Sequence, residues 1–511
     1  MAFNLQTFFM MLFVKFQPVK KFFLDFLSSS TIHGFNHIAA PKRHIIERLI
    51  WISLVAMGLY ATAILSGLTL TRYFENPTVI SMERDRFSWN TSFPSATICP
   101  TTKLEEEVLH EYVEKSNAKN KSALIHFITT LANAGYENFE TVVEYPDIDP
   151  KDYMDLLLSL RFNFKPQLSN SGVTGRQYAL EMTITEFGIC YSFNSQLAIY
   201  NSPNYWNSNL WKVLPENETF SVNPLDGEVF ANVVNMSTGY KLFIHGPFEV
   251  ADVSSKAINS PNGYFLQVYL TALSIYSSER ARNLQVNQRK CRFYYESNLR
   301  HSPVYSYALC RTECRLQLAL GLCGCVPHFY RKLDGYKVCD VKGMHCLAQH
   351  KDRLVAMKKE CKCLTNCDEV NYVVQHYDAR EWFLGSNLQW GLKEYPRMRL
   401  KRDVIFGFAD VLVYVGGMAG LFFGCSVLSF AEIFYFFTLH LFFFVKKSRK
   451  EQQTNEKSAE VNKKLKQVLP AEPDAESVKN VWNYPHDDYN NFNFVKFSRL
   501  NGKRTKVFIR P

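Results

Sequence analysis

Hydrophobic positions in this chain gather into two long runs. Leu49 to Leu70, LIWISLVAMGLYATAILSGLTL, is 22 residues without a charge, close to the roughly 20 that cross a bilayer core. The second run extends from about Val404 to Val445 and is charged only at Asp410 and Glu432. That is about twice a usual span, so the pattern predicts a tilted, broken or partly extra-lipid element. Between the runs the pattern is mixed. Tyr264 to Tyr276, YFLQVYLTALSIY, is rich in aromatic and β-branched residues with partial alternation, which predicts a strand. LEEEVLHEYVEKS and CLAQHKDRLVAMKKEC carry helical periodicity. No internal repeat is present. After Lys450, KKSRKEQQTNEKSAEVNKK reads as a solvated helix or disordered tail. The final NFVKFSRLNGKRTKVFIRP, basic with aromatics, is a plain tail or a contact for anionic lipid.

Charge orients the runs. The net charge of +10 concentrates at Lys42, Arg43 and Arg48 and at Lys446, Lys447, Arg449 and Lys450, flanking the apolar runs. Basic flanks before the first span and after the second place both termini in the cytoplasm. No nucleic-acid-binding motif accompanies the charge. The expected domains are a cytoplasmic segment 1–44, a first span 45–71, an extracellular domain 72–403, a second span 404–445 and a cytoplasmic tail 446–511. FFMMLFV, Phe8 to Val14, has its lysines after it rather than before, so it is expected to touch the membrane surface and not to be a cleaved signal.

Thirteen cysteines refine the picture, twelve of them between Cys99 and Cys367 and the last, Cys425, alone in the second run. An even dozen fits disulfides in an oxidising compartment. Zinc is the competitor, because CGC at 323–325 and CKCLTNC at 361–367 have ligand-like density. Glycosylation sequons at Asn90, Asn120, Asn217 and Asn235 fall in the same region and favour disulfides outside the cell.

GGMAGLFFGCSVLSFAEIFYFF, Gly416 to Phe437, carries the candidate chemistry. Each glycine costs a helix about 1 kcal/mol relative to alanine. Gly416, Gly420 and Gly424 recur every four residues, a small-residue face that lets membrane helices approach closely. Around a symmetry axis such a face lines a narrow passage; otherwise it packs two helices of one subunit. An intramembrane acid such as Glu432 marks an ion path, unless it merely snorkels to the interface.

Five blocks resemble the epithelial sodium channel/degenerin/acid-sensing channel superfamily, in the style of its insect pickpocket branch. They are STIHGFNHI with His33-Gly34, FPSATIC (93–99), GICYSFN (188–194), YALCRTECRLQLALGLCGCVPHFY followed by CKCLTNCDEVNY, and GGMAGLFFGCSVLSFAEIF. The resemblance implies a membrane protein with two transmembrane helices, the second broken at Gly-x-Ser, and a large disulfide-rich α+β extracellular domain in a trimeric channel. It implies a homotrimer or a heterotrimer with homologous subunits in the plasma membrane, passing sodium in preference to potassium and blocked by amiloride. Gly424, Cys425 and Ser426 become the selectivity filter, whose carbonyls replace an ion's hydration shell, with Cys425 a tolerated middle residue and not a reactive thiol. Glu432 below it and Asp410 at the outer mouth concentrate cations, and Gly416 and Gly420 line the pore. His33 and Gly34 act in gating. Tyr73 joins the first span to the ectodomain, or is an ordinary interfacial anchor. The implied disulfides are Cys99–Cys190, Cys291–Cys367, Cys310–Cys363, Cys314–Cys361, Cys323–Cys346 and Cys325–Cys339.

Two departures stand out. HKDRLVAMKKE is mostly basic where acid-sensing relatives carry paired carboxylates, so proton gating does not carry over. Val413 stands where relatives hold a small residue, which implies a raised resting open probability. No nucleophile, zinc or phosphate-loop motif points to an enzyme, no cofactor is expected beyond permeant sodium, and no arginine row supplies a voltage sensor. The competing classes are a two-anchor receptor or adhesion protein and an ATP-gated trimeric channel, which lacks Gly-x-Ser. The extracellular stimulus or ligand is not legible.

Overall fold

The computed structural model describes residues 19–41, 43–85, 87–116, 118–171, 179–208, 211–216, 218–357, 360–468, 499–500 and 503–504. Contacts divide the chain into two units, residues 1–54 with 425–511 and residues 55–424. The helices used below are α1 (19–29), α2 (Ile45–Glu75), α3 (Glu106–Lys115), α4 (Lys121–Ala132), α5 (Tyr153–Ser159), α6 (Tyr307–Cys323), α7 (Val341–Gln349), α8 (Lys351–Ala356), α9 (Phe408–Phe423), α10 (Val427–Tyr435) and α11 (Leu441–Val468). The main strands are β1 (Thr78–Glu83), β2 (Ser95–Pro100), β3 (Gln167–Ser171), β4 (Glu181–Thr185), β5 (Gly188–Phe193), β6 (Val229–Met236), β7 (Tyr240–His245), β8 (Ile258–Ser260), β9 (Tyr264–Ser277), β10 (Glu369–Glu381), β11 (Ser386–Leu392) and β12 (Arg399–Val404).

The strands form two sheets within residues 55–424. The seven-stranded sheet runs β1-β12-β9-β11-β6-β3, with β10 also paired to β9, and the five-stranded sheet runs β8-β7-β2-β5-β4. β9 covers the stretch its composition predicts and is long enough to hold β10 antiparallel while β11 and β12 run parallel to it. Its alternate residues Leu266, Val268, Leu270 and Ala272 are buried with Val233, Leu388 and Trp390 from β6 and β11. Facing them are Ala96, Ile98, Phe193 and Leu242 of the five-stranded sheet, so one apolar layer lies between the sheets. The Trp390 indole donates to the Pro94 carbonyl at 3.0 Å, so its polar handle is satisfied where no water reaches. A second core joins α3, α4 and α5 to α6, α7 and α8 through Leu124, Phe127, Leu131, Phe139, Leu316 and Met344.

One helix expectation needs correcting. The stretch CLAQHKDRLVAMKKEC is not one helix. α7 begins earlier, at Val341, because Asp340 accepts the Gly343 N–H at 2.8 Å and caps it. α8 follows after His350 and ends where Met357 turns left-handed at φ 39°. The first apolar run lies within α2, which extends it at both ends, and only Thr69 of that helix is buried. A helix bonded internally throughout is what a lipid-exposed segment requires. The second run begins as strand, since β12 ends at Val404, and turns helical at Phe408. α11 then carries the helix beyond Val445 to Val468.

Candidate ion pathway

The second span is built from two helices with a deliberate stop and restart. α9 ends at Phe423 because Gly424 turns left-handed at φ 62°, a conformation that glycine adopts without the Cβ penalty. The Gly424 N–H bonds the Gly420 carbonyl at 2.8 Å and closes the end. Ser426, extended at φ −107° and ψ 174°, caps the next helix by accepting the Ser429 N–H at 3.3 Å. The Ser429 hydroxyl returns the favour, accepting the Ser426 N–H at 3.2 Å. Residues 424–426 thus lie outside both helices. Val427–Glu451 is long and apolar enough to cross a membrane, as is α2, while α9 is a shorter apolar helix.

The other anticipated residues divide by element. Asp410 sits in the first turn of α9, and its carboxylate takes the Gly407 N–H at 2.8 Å. It therefore caps a helix N-terminus, where the dipole favours negative charge. Val413 is exposed. A Cβ added at Gly416 or Gly417 meets nothing within 4 Å in this chain. Cys425 is the free cysteine among the described residues. Tyr73 lies in the last turn of α2, and its carbonyl accepts from the Gln288 side chain at 3.3 Å.

In the unit formed by the chain ends, Gly34 is left-handed at φ 93° beside an exposed His33. Two residues earlier, the Thr31 hydroxyl donates to Glu432 Oε2 at 2.8 Å and lies 3.1 Å from Ser429 Oγ. Phe22 packs its ring against Phe436 and Phe444 at 5.1 and 5.2 Å. Phe26 lies 5.1 Å from both Phe436 and Phe437. Phe436 and Phe437 belong to a π-helical turn, Phe436–His440, between α10 and α11, a form frequent at functional positions, and Phe444 follows it.

The ectodomain is fastened by six disulfides, Cys99–Cys190, Cys291–Cys367, Cys310–Cys363, Cys314–Cys361, Cys323–Cys346 and Cys325–Cys339, the pairing the resemblance implies. Asn90, Asn120 and Asn235 are exposed, and Asn120 caps α4; Asn217 lies outside the described residues, as do Lys42 and Phe8 to Val14. Three features have no local signal in the sequence. Fully buried Arg315 on α6 pairs with Glu186 and with Asp252 at 3.3 Å, partners 129 and 63 positions away. Glu249 accepts the Ala308 N–H at the start of α6 and an Asn366 amide proton. Lys103, whose ammonium reaches the Phe187 carbonyl at 2.9 Å, is pushed down to about 8 by desolvation and by Lys241.

Residues 26–436 match the family model described as amiloride-sensitive sodium channel. The chain belongs to the amiloride-sensitive sodium channel family. Its relatives in that family include the sodium channel protein Nach of Drosophila ananassae, 24% identical over 83% of this chain and 87% of that one. Pickpocket protein 28 of Drosophila melanogaster is 21% identical, covering 82% and 79%. The human bile acid-sensitive ion channel is 24% identical, covering 85% and 90%. The family and these relatives are ion channels, not enzymes. This member has the family's two apolar membrane helices and a disulfide-rich domain of mixed helix and sheet.

Proposed function

We propose that the chain is a subunit of a sodium-selective, amiloride-sensitive, non-voltage-gated cation channel, gated through its extracellular domain and assembled as a homotrimer or with homologous subunits. Its termini face the cytoplasm and it carries glycans at its exposed sequons. What supports the reading is the interruption at 424–426. Non-helical backbone at membrane depth is tolerable only where protein or a water-filled cavity surrounds it, and carbonyls freed from a helix are the material of cation filters. The open faces of Gly416 and Gly417 leave room for other subunits at the same level. Glu432, one turn and more beyond Ser426, supplies negative charge along the same helix. His33 and Gly34 act in gating, Val413 raises the resting open probability, and Tyr73 joins the first span to the ectodomain.

The test is expression in oocytes, alone and with homologous subunits, with reversal potentials recorded in sodium and in potassium with and without amiloride. Ser426→Ala and Gly424→Ala are expected to lower the preference for sodium. A two-anchor receptor predicts no current in any combination, and an ATP-gated channel predicts current only with ATP. Selectivity unmoved by both substitutions would falsify the filter assignment.

A further inference from the structure

We infer that the cavity between the end of α4 and the five-stranded sheet is a binding site for a small dianion, a dicarboxylate or a divalent oxyanion, gripped by Lys103 and Lys241. The inference rests on the proposed gating through the extracellular domain for its consequence, and deepens it by naming the chemistry of a ligand.

The cavity holds about 460 Å³, and its walls include Cys99, Lys103, Tyr136, Glu186, Phe187 and Lys241. Its frame is braced. Lys241 of β7 stands opposite Cys99 of β2, and Cys99 is bonded to Cys190 of β5. Lys103 follows β2, and its ammonium donates at 2.9 Å to the carbonyl of Phe187, in the turn between β4 and β5. The Lys241 ammonium lies 5.9 Å from the centre of the Phe187 ring. Both lysines therefore converge on one residue, and each charge is felt at the other.

Neither charge is answered within the chain. Among the described residues, neither lysine makes an ion pair. Glu186, in the cavity wall, is already engaged by Arg315, by the Tyr330 hydroxyl and by the Val253 N–H. Glu137 is exposed, and Lys351 of α8 reaches its carbonyl at 3.0 Å, which brings a third cation close by. The neutral donors along the wall are in use: Asn138 donates to the Asn133 carbonyl and Thr101 to the Gly239 carbonyl. An ammonium carries three hydrogens, so the spare donors belong to the lysines. Two half-buried cations without a counter-charge are unfavourable. A ligand with two negative charges relieves both and accepts strong, charge-assisted hydrogen bonds, whereas a monoanion leaves one charge unmatched. The volume is that of a small-molecule site. Desolvation, and then Lys241, push Lys103 down to about 8, so the grip is firm only while that amine keeps its proton.

The test titrates the full-length protein in lipid nanodiscs with malonate, sulfate and chloride at constant ionic strength, read by calorimetry. Saturable binding of a dianion, tighter than chloride, is expected; malonate ahead of sulfate marks a dicarboxylate site, and the reverse an oxyanion site. Lys241→Gln gives up only the ring contact within the fold and is expected to weaken binding about tenfold or more, as one hydrogen bond between charged groups supports. Lys241→Arg retains it. Both dianions keep their charge at neutral pH and above, so their binding should weaken as pH rises through about 8, where Lys103 deprotonates. Lys103→Gln removes that pH dependence. The other titratable groups facing the cavity are Lys241, Tyr136, Glu137 and Glu186, and burial pushes the Tyr136 phenol up, away from this range. Chloride binding as tightly as either dianion, or Lys241→Gln binding them like the wild type, overturns the site. In oocytes, malonate or sulfate is expected to change the wild-type current and to leave that of Lys241→Gln unaltered. A current that ignores a bound dianion refutes its part in gating, whereas no current in any combination refutes the channel and leaves the binding site standing.

Discussion

Desolvation, reinforced by Glu369 and Asp252, pushes the Glu249 carboxyl up to about 7, against the opposing pull of the Ala308 N–H and the Asn366 amide. The folded protein therefore holds this proton more tightly than an unfolded chain, where the carboxyl titrates near 4.5. The resulting stability is present below that lower value and is lost as pH rises through 7, amounting to about 2 kcal/mol for a partly exposed group. Thermal unfolding of the purified protein should show this loss between the two values, and Glu249→Gln should flatten it. Arg315 is the opposite case, a fully buried cation that stays charged because Glu186 and Asp252 surround it. Arg315→Met strands two buried carboxylates and is expected to cost about 3–5 kcal/mol, read as a lower melting temperature and less protein at the cell surface. Adding Glu186→Gln should recover part of that loss, which a simple packing defect would not allow.

Two glycines show how differently elements use the same residue. Gly391 lies in β11, where a Cβ would sit 2.1 Å from the Val229 carbonyl of β6. Gly391→Ala must push the two strands apart and is expected to destabilise the sheet by about 3 kcal/mol, measurable as reduced resistance of the ectodomain to protease. Gly416 in α9 meets nothing within 4 Å. Alanine there is expected to leave folding intact or improve it by about 1 kcal/mol through helix propensity. If that face lines the shared passage, the same substitution changes single-channel conductance without changing expression. Unchanged conductance would assign the glycine to helix packing.

The disulfides set which parts of the molecule move together. Cys310, Cys314 and Cys323 fasten α6 to residues 346–363. Cys291–Cys367 holds a short parallel pair, Cys291–Arg292 with Thr365–Asn366, at the start of β10. Asn366 also accepts the Tyr307 N–H at the beginning of α6 and donates to Glu249. Under the proposed gating through the extracellular domain, a stimulus arriving at α6 has a covalently braced route into β10 and, through its pairing, β9. Replacing Cys291 and Cys367 with serine opens a closure 76 residues long and is expected to cost about 2–5 kcal/mol. The measurement is melting temperature beside stimulus-evoked current. Loss of stability with coupling intact would confine the bridge to a structural role.

Much of this was legible in order along the chain. The length of the second run, about twice a usual span, already required a tilt, a break or an excursion from the lipid; the break's place at Gly-x-Ser came from the resemblance, and the glycine stop at Gly424 and the serine cap at Ser426 came from the structure. β9 declared itself through its aromatic and β-branched residues. The cysteine count implied pairing, but the partners came from resemblance, since composition cannot choose among connectivities. Boundaries such as His350 depended on capping contacts that periodicity does not record. Only the tertiary structure brought Thr31 to Glu432 and Arg315 to Glu186, because such pairs depend on where distant segments are packed and leave no local pattern of hydrophobic and polar residues to read.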